Sequence, residues 1–81
     1  MKGQKVYLVI EESAVEDLFD LDVQPYEKEE DAVKDWENRK AKWEAGSDWM
    51  KSENGRNFEM WRDGEYSSNH VCLYLEEKEV K

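Results

Sequence analysis

Strand-like patterns occupy four stretches of this chain, and helical spacing occupies one. Lys5–Glu11 (KVYLVIE) is β-branched and apolar, which predicts a strand. Val6, Leu8 and Ile10 share one of its faces, and Tyr7 and Val9 the other. Apolar groups on both faces predict a central strand. Ser13–Asp17 reads as a loop. Leu18–Gln24 then alternates, with Phe19, Leu21 and Val23 on one side and Asp20, Asp22 and Gln24 on the other. That is the pattern of a half-buried strand, and Pro25 closes it.

Glu27–Ala45 is predicted helical. At 100° per residue Ala32, Val33, Trp36 and Trp43 fall on one stripe, with Lys40 along its margin. Glu27, Glu29, Glu30 and Asp31 load the beginning, while Arg39, Lys40 and Lys42 lie towards the other end, an order that suits the helix dipole. Glu30–Lys34 and Asp35–Arg39 are spaced as favourable i,i+4 pairs. Gly46 stands where a glycine commonly stops a helix.

Residues 47–57 admit two readings. Ser47 and Asp48 can cap another helical turn carrying Trp49 and Met50, or Asn54-Gly55 can centre a type I′ hairpin. Asn57–Arg62 alternates again, Phe58 and Met60 opposite Glu59 and Trp61. A polar connection runs from Asp63-Gly64 to Asn69. In the last strand, His70–Glu79, Val71, Leu73 and Leu75 face one way and His70, Cys72 and Tyr74 the other. These elements predict one α+β domain over residues 1–81: a small antiparallel sheet of about four strands with one amphipathic helix packed on one face.

Composition narrows the class. Of 81 residues, 38% are hydrophobic and 41% charged, a balance that leans towards disorder. Four Trp, four Tyr and two Phe offset it, because each large ring can bury roughly 150–250 Å². The single Cys72 has no partner for an internal disulfide, and one Cys with one His makes no zinc set. The apolar runs Val6–Ile10 and Val71–Leu75 are too short for a signal-peptide core or a membrane span. A reduced, cytoplasmic setting is the expectation, with no membrane partner and no cofactor.

The net charge of −9 is uneven. Glu11–Asp31 holds ten acidic residues against Lys28 alone, whereas the rest of the chain is close to balance. A field of that sign repels phosphates and anionic lipid and favours basic partners, so direct nucleic-acid binding is not expected.

The stretch Asp63-Gly64-Glu65-Tyr66-Ser67-Ser68-Asn69-His70, followed by an alternating strand ending Glu76-Glu77-Lys78-Glu79-Val80, resembles the C-terminal hairpin of small uncharacterised bacterial and phage-encoded proteins. In these an N-terminal strand of the KVYLV type and a helix with an acidic start precede a GxYSxxH turn. The likeness covers about the last twenty residues closely and the rest in order of elements. It implies a bacterial, phage or mobile-element setting and carries no catalytic residues.

Candidate chemistry is sparse. His70 and Cys72, the only pair suited to nucleophilic catalysis, stand about 6.7 Å apart on one strand face, beyond the reach such a pair needs. The plainer reading is a buried thiol and a turn-end imidazole. Asp17, Asp20 and Asp22 do not fit a calcium loop, because neither frame puts a glycine at the sixth position. There is no Gly-rich phosphate loop and no GxSxG turn. Trp36 and Trp43 read as core, while Trp49 and Trp61 are candidate interface anchors.

The leading expectation is a non-catalytic protein whose acidic segment, with Glu16, Asp17, Asp20 and Asp22 as candidate contacts, docks on a basic protein surface, decoy-like. The alternative is a protein–protein adaptor or homo-oligomer using Trp49 or Trp61 and a sheet edge. A small enzyme centred on His70 and Cys72 is the third class.

Overall fold

The computed structural model describes residues 4–16, 18–45, 48–62, 64 and 69–80, with the side chain of Val80 left aside. Asp17, the expected helix stop Gly46, the expected cap residue Ser47 and most of the GxYSxxH turn lie outside them.

The elements run β1 (Gln4–Val15), β2 (Leu18–Tyr26), α1 (Glu29–Glu44), β3 (Met50–Asn54), β4 (Asn57–Trp61) and β5 (His70–Val80). Every strand pairing is antiparallel, in the spatial order β2-β1-β5-β4-β3. Two hairpins, β1–β2 and β3–β4, therefore flank β5, the last strand in sequence, and α1 crosses one face between them. The sheet has five strands where the pattern predicts about four. The extra one is β3, whose Met-Lys-Ser-Glu-Asn sequence has little strand character and is exposed throughout. It is held by its register with β4, from Met50↔Trp61 to Asn54↔Asn57.

Several boundaries differ from the sequence reading, among them the end of β2, which runs through Pro25 to Tyr26 because Leu8 and Tyr7 of β1 still pair with it there. β1 does not end at Glu11; it continues to Val15, because β5 and β2 pair with it on both sides there (Ser13↔Val71, Ser13↔Asp20). The expected loop at Ser13–Asp17 shrinks to the hairpin end, where Glu16 takes a positive φ of 52°. Its N–H donates to Asn69 Oδ1 at 3.0 Å, tying the hairpin end to the start of β5. The β3–β4 hairpin settles the open choice at 47–57, but it turns through Gly55 and Arg56, one residue later than Asn54-Gly55. Gly55 supplies the positive φ (62°) that such a short connection demands.

The helix forms as its stripe predicts, slightly shorter at both ends. Lys28 offers no side-chain cap; Glu29, Glu30 and Asp31 in the first turn provide negative charge where the helix dipole favours it. Ala32 and Trp36 are buried, and Val33 and Trp43 pack beside them. Below them lie Val9 of β1, Phe58 and Met60 of β4, and Val71, Leu73 and Leu75 of β5. These side chains share one sheet face, because alternate residues of each strand point the same way and the registers align them.

The molecule is elongated, 50 × 20 × 17 Å, with a radius of gyration of 14.0 Å, where a compact chain of this length has about 12 Å. Twelve residues of β1 extend about 40 Å, whereas the sixteen of α1 span about 24 Å. The helix thus covers part of one face, and the tip of the β1–β2 hairpin projects beyond it. Leu18, at that tip, is 77% exposed. No helix among the described residues is long and apolar enough to cross a membrane.

Candidate functional site

Among the described residues, no helix lies on the opposite sheet face. Strand registers order it into rows. Across the hairpin-tip end run Phe19, Ala14, His70, Trp61 and Met50. The next row holds Leu21, Glu12, Cys72, Glu59 and Ser52. A third holds Val23, Ile10, Tyr74, Asn57 and Asn54. Along β2 the apolar residues are open to water: Phe19 is 66% exposed, Leu21 53% and Val23 47%; Met50, at the far edge, is 49% exposed. Leu8, Ile10, Tyr74 and Trp61 between them are half-buried.

β2 is inverted relative to its neighbours. On β4 and β5 the apolar residues point to the helix, whereas on β2 that side carries Asp20, Asp22 and Gln24 and the apolar row points away. The sequence reading of β2 as half-buried is therefore corrected. The strand is present, but it is exposed along all its length except Tyr26, because its apolar side meets the uncovered face.

The acids of 11–31 divide among several surfaces. Arg39, on α1, gathers three of the helix-side carboxylates: Asp35 at 3.0 Å, Glu11 of β1 at 3.2 Å and Asp22 of β2 at 2.8 Å. Burial opposes the guanidinium charge, but its hydrogen bonds to Asp35 and Asp22 and the nearby charges of Asp35 and Glu11 outweigh it, so the pKa rises. Tyr26 donates its hydroxyl proton to Asp35 Oδ2 at 2.8 Å. That bond, with smaller contributions from burial and the charge on Asp35, raises the phenol pKa. Glu12 points to the other face, and Glu29 pairs with Arg56 at 3.1 Å. Among the described acids, Glu12 and Glu29 thus stand apart from the group that Arg39 gathers.

The sequence candidates separate accordingly. Asp20 stays exposed on the edge strand, its Oδ1 accepting from the Leu21 N–H at 3.0 Å. Asp22 is engaged by Arg39, Glu16 is exposed at the hairpin end, and Asp17 lies outside the described residues. Trp49 is half-buried against the core, whereas Trp61 is half-buried on the helix-free face. His70 and Cys72 share that face, and Cys72 is 3% exposed. A hydrogen bond with Cys72, then burial and the charges of Cys72, Glu12 and Glu59, raises the pKa of Tyr74 beside it. Phe19, Leu21, Val23 and Met50 were not singled out as contacts. Alternation shows which residues share a face, not which face a helix covers.

A shallow groove of about 510 Å³ lies between α1 and the β3–β4 turn, walled by Val33, Trp36, Lys40, Glu53, Arg56 and Leu75. Its cations are matched within the chain, Lys40 by Glu53 and Arg56 by Glu29. Lys40 lies 5.5 Å from the centre of the Trp36 ring and 5.7 Å from that of Phe58. Its hydrogen bond to Glu53 outweighs partial burial and raises its pKa. Among the described residues no group of three His, Cys, Asp or Glu side chains is placed to hold a metal ion.

No family model, curated protein or solved structure matches the chain, so the surface is read from its own chemistry.

Proposed function

We propose that this chain is a non-catalytic interaction module that docks through its helix-free sheet face, with the β2 side as the principal contact. One observation carries the reading: Phe19, Leu21 and Val23 form a continuous apolar row on an edge strand, each about half exposed or more. Scattered apolar residues at a surface are ordinary, but a contiguous row flanked on β1 by Ala14 and Ile10 is the kind of patch that marks an interface. A chain with only 38% hydrophobic residues has few to spare for water.

This favours the adaptor class over the acidic-docking class. The latter needs unpaired carboxylates gathered on one surface, and Arg39 already holds Glu11 and Asp22. The buried Cys72 thiol gives a nucleophile poor access, which supports a non-catalytic role.

The test is a quantitative affinity purification at rising salt, comparing the unaltered chain with Phe19→Ser/Leu21→Ser and with Asp20→Lys. Sheet-face docking predicts partners that survive high salt and disappear with the serine variant, while both variants keep the unaltered melting profile. Partners lost in salt and with Asp20→Lys, but kept by the serine variant, would restore the acidic reading.

A further inference from the structure

We propose that the outer edge of β2 accepts an extended segment of a partner protein as a sixth strand, one whose side chains alternate apolar and basic. The proposal deepens the docking reading above and rests on it.

The edge is available. β2 ends the sheet, so among the described residues one side of its backbone has no neighbouring strand. The ladder shows which groups face out. Val15 pairs with Leu18 across two intervening residues, and a pair closing so short a connection is a hydrogen-bonded one. Alternation then makes Ser13–Asp20, Glu11–Asp22 and Val9–Gln24 hydrogen-bonded pairs, and turns the N–H and C=O groups of Phe19, Leu21 and Val23 outward. Two details agree. Pro25, which has no N–H, occupies an outward position, and the Leu21 N–H is met by the Asp20 side chain, not by β1. The residues that offer backbone groups to a new strand are the same three whose side chains form the exposed apolar row.

The chemistry of the strand sets that of the occupant. A segment laid along β2 continues both faces of the sheet. On the open face its side chains meet Phe19, Leu21 and Val23, which call for apolar partners. On the helix side they meet Asp20, which calls for Lys or Arg, and Asp22, 55% exposed though one of its oxygens is held by Arg39. A cation there would compete for the Asp20 carboxylate and free the Leu21 N–H that it occupies in the isolated chain.

A second copy of this chain suits the edge poorly. Antiparallel pairing of β2 with its copy about Leu21 would set Asp20 opposite Asp22 twice, in a molecule of net charge −9. The other edge lacks the same features. β3 is five residues long, its Lys51 and Glu53 pair with Glu44 and Lys40 of α1, and it presents no apolar row.

The experiment titrates the full chain with an end-blocked peptide of about eight residues alternating Val with Lys. Peptides alternating Val with Glu, and Ser with Lys, serve as controls. Amide chemical shifts and hydrogen exchange are followed residue by residue. The Val/Lys peptide should slow exchange at Phe19, Leu21 and Val23 and leave β3 unchanged, and each control should bind at least about tenfold more weakly. Val23→Pro removes one outward donor while keeping an apolar side chain and the bonds to β1, and should weaken binding about tenfold.

Failure of this inference and failure of the docking reading leave different traces. If Phe19→Ser/Leu21→Ser abolishes binding while Val23→Pro does not, and no exchange protection appears on β2, the partner sits on the face and strand addition is wrong. If neither variant changes binding, both are wrong. A dimer in sedimentation that Val23→Pro dissolves would put a second copy on the edge and overturn the heterologous occupant. Should Val23→Pro fail to fold, protection at Phe19 and Val23 in the unaltered chain decides.

Discussion

Glu16 holds a left-handed backbone conformation that L-residues other than glycine enter at a cost of roughly 1–2 kcal/mol. What keeps it there is the hairpin end and its N–H bond to the buried Asn69. Because the backbone N–H makes that bond, the Glu16 side chain is dispensable to it. Glu16→Gly should raise stability by about 0.5–1 kcal/mol, the relief of strain exceeding the extra freedom of the unfolded chain. Glu16→Val should lower it by ~1 kcal/mol or more. Urea midpoints of the two variants decide, and a loss on Glu16→Gly would mean that the carboxylate itself stabilises the turn. Trp36 shows the reverse economy, a ring 7% exposed whose buried Nε1 has no hydrogen-bond partner among the described residues. Its apolar area and the overlying Lys40 must outweigh that orphaned donor, which costs about 1–3 kcal/mol.

At the scale of elements, α1 is fastened to the β1–β2 hairpin through one polar hub. Arg39 is 20% exposed and holds carboxylates from three elements, so removing it frees three like charges at a partly desolvated site. Arg39→Met, which keeps the apolar stem, should destabilise the fold by roughly 1–3 kcal/mol. Chemical denaturation reads this directly, and a change below about 0.5 kcal/mol would reduce the hub to an ordinary surface cluster.

Legibility in the sequence also divides by element. The helix could be read because its stripe of Ala32, Val33, Trp36 and Trp43 is a local pattern. The core sides of β4 and β5 could be read from the alternation of Phe58 with Met60 and of Val71, Leu73 and Leu75. The last third of β1 could not, since Ser13 and Ala14 are strand residues by virtue of β5, whose pairing with them is far removed in sequence. β3 could be read only as one arm of the hairpin alternative, because its polar residues depend on β4 and on ion pairs to α1. The candidate surface was legible in part: the sharing of one side by Phe19, Leu21 and Val23 was visible, as was an outward Trp61. That the helix would lie on the side of Asp20 and Asp22 depends on the whole assembly of strands.

For the molecule as a whole, stability is concentrated on one face. Phe58, Met60, Leu73, Val9 and Val71 are the largest fully buried side chains, and all lie under the helix. Leu73→Ala should therefore cost about 2–5 kcal/mol, a large part of the roughly 5–10 kcal/mol that a chain of this size commands. Leu21→Ala, on the open face, should change stability by less than ~0.5 kcal/mol. Thermal melts of the two variants side by side check this. A large loss at Leu21 would mean that β2 packs against something in the isolated chain and that the open face is not open.

The position of β5 has one more consequence. It follows the other four strands in the chain and yet is the central one, lying between β1 and β4. Until it leaves the ribosome, the two hairpins have no common neighbour, and Val9 and Phe58 lack the strand that joins them. Native structure must then arise in a late step that closes a long loop, which slows folding. The nascent domain holds its future core uncovered until β5 emerges, the interval in which a chaperone would meet it.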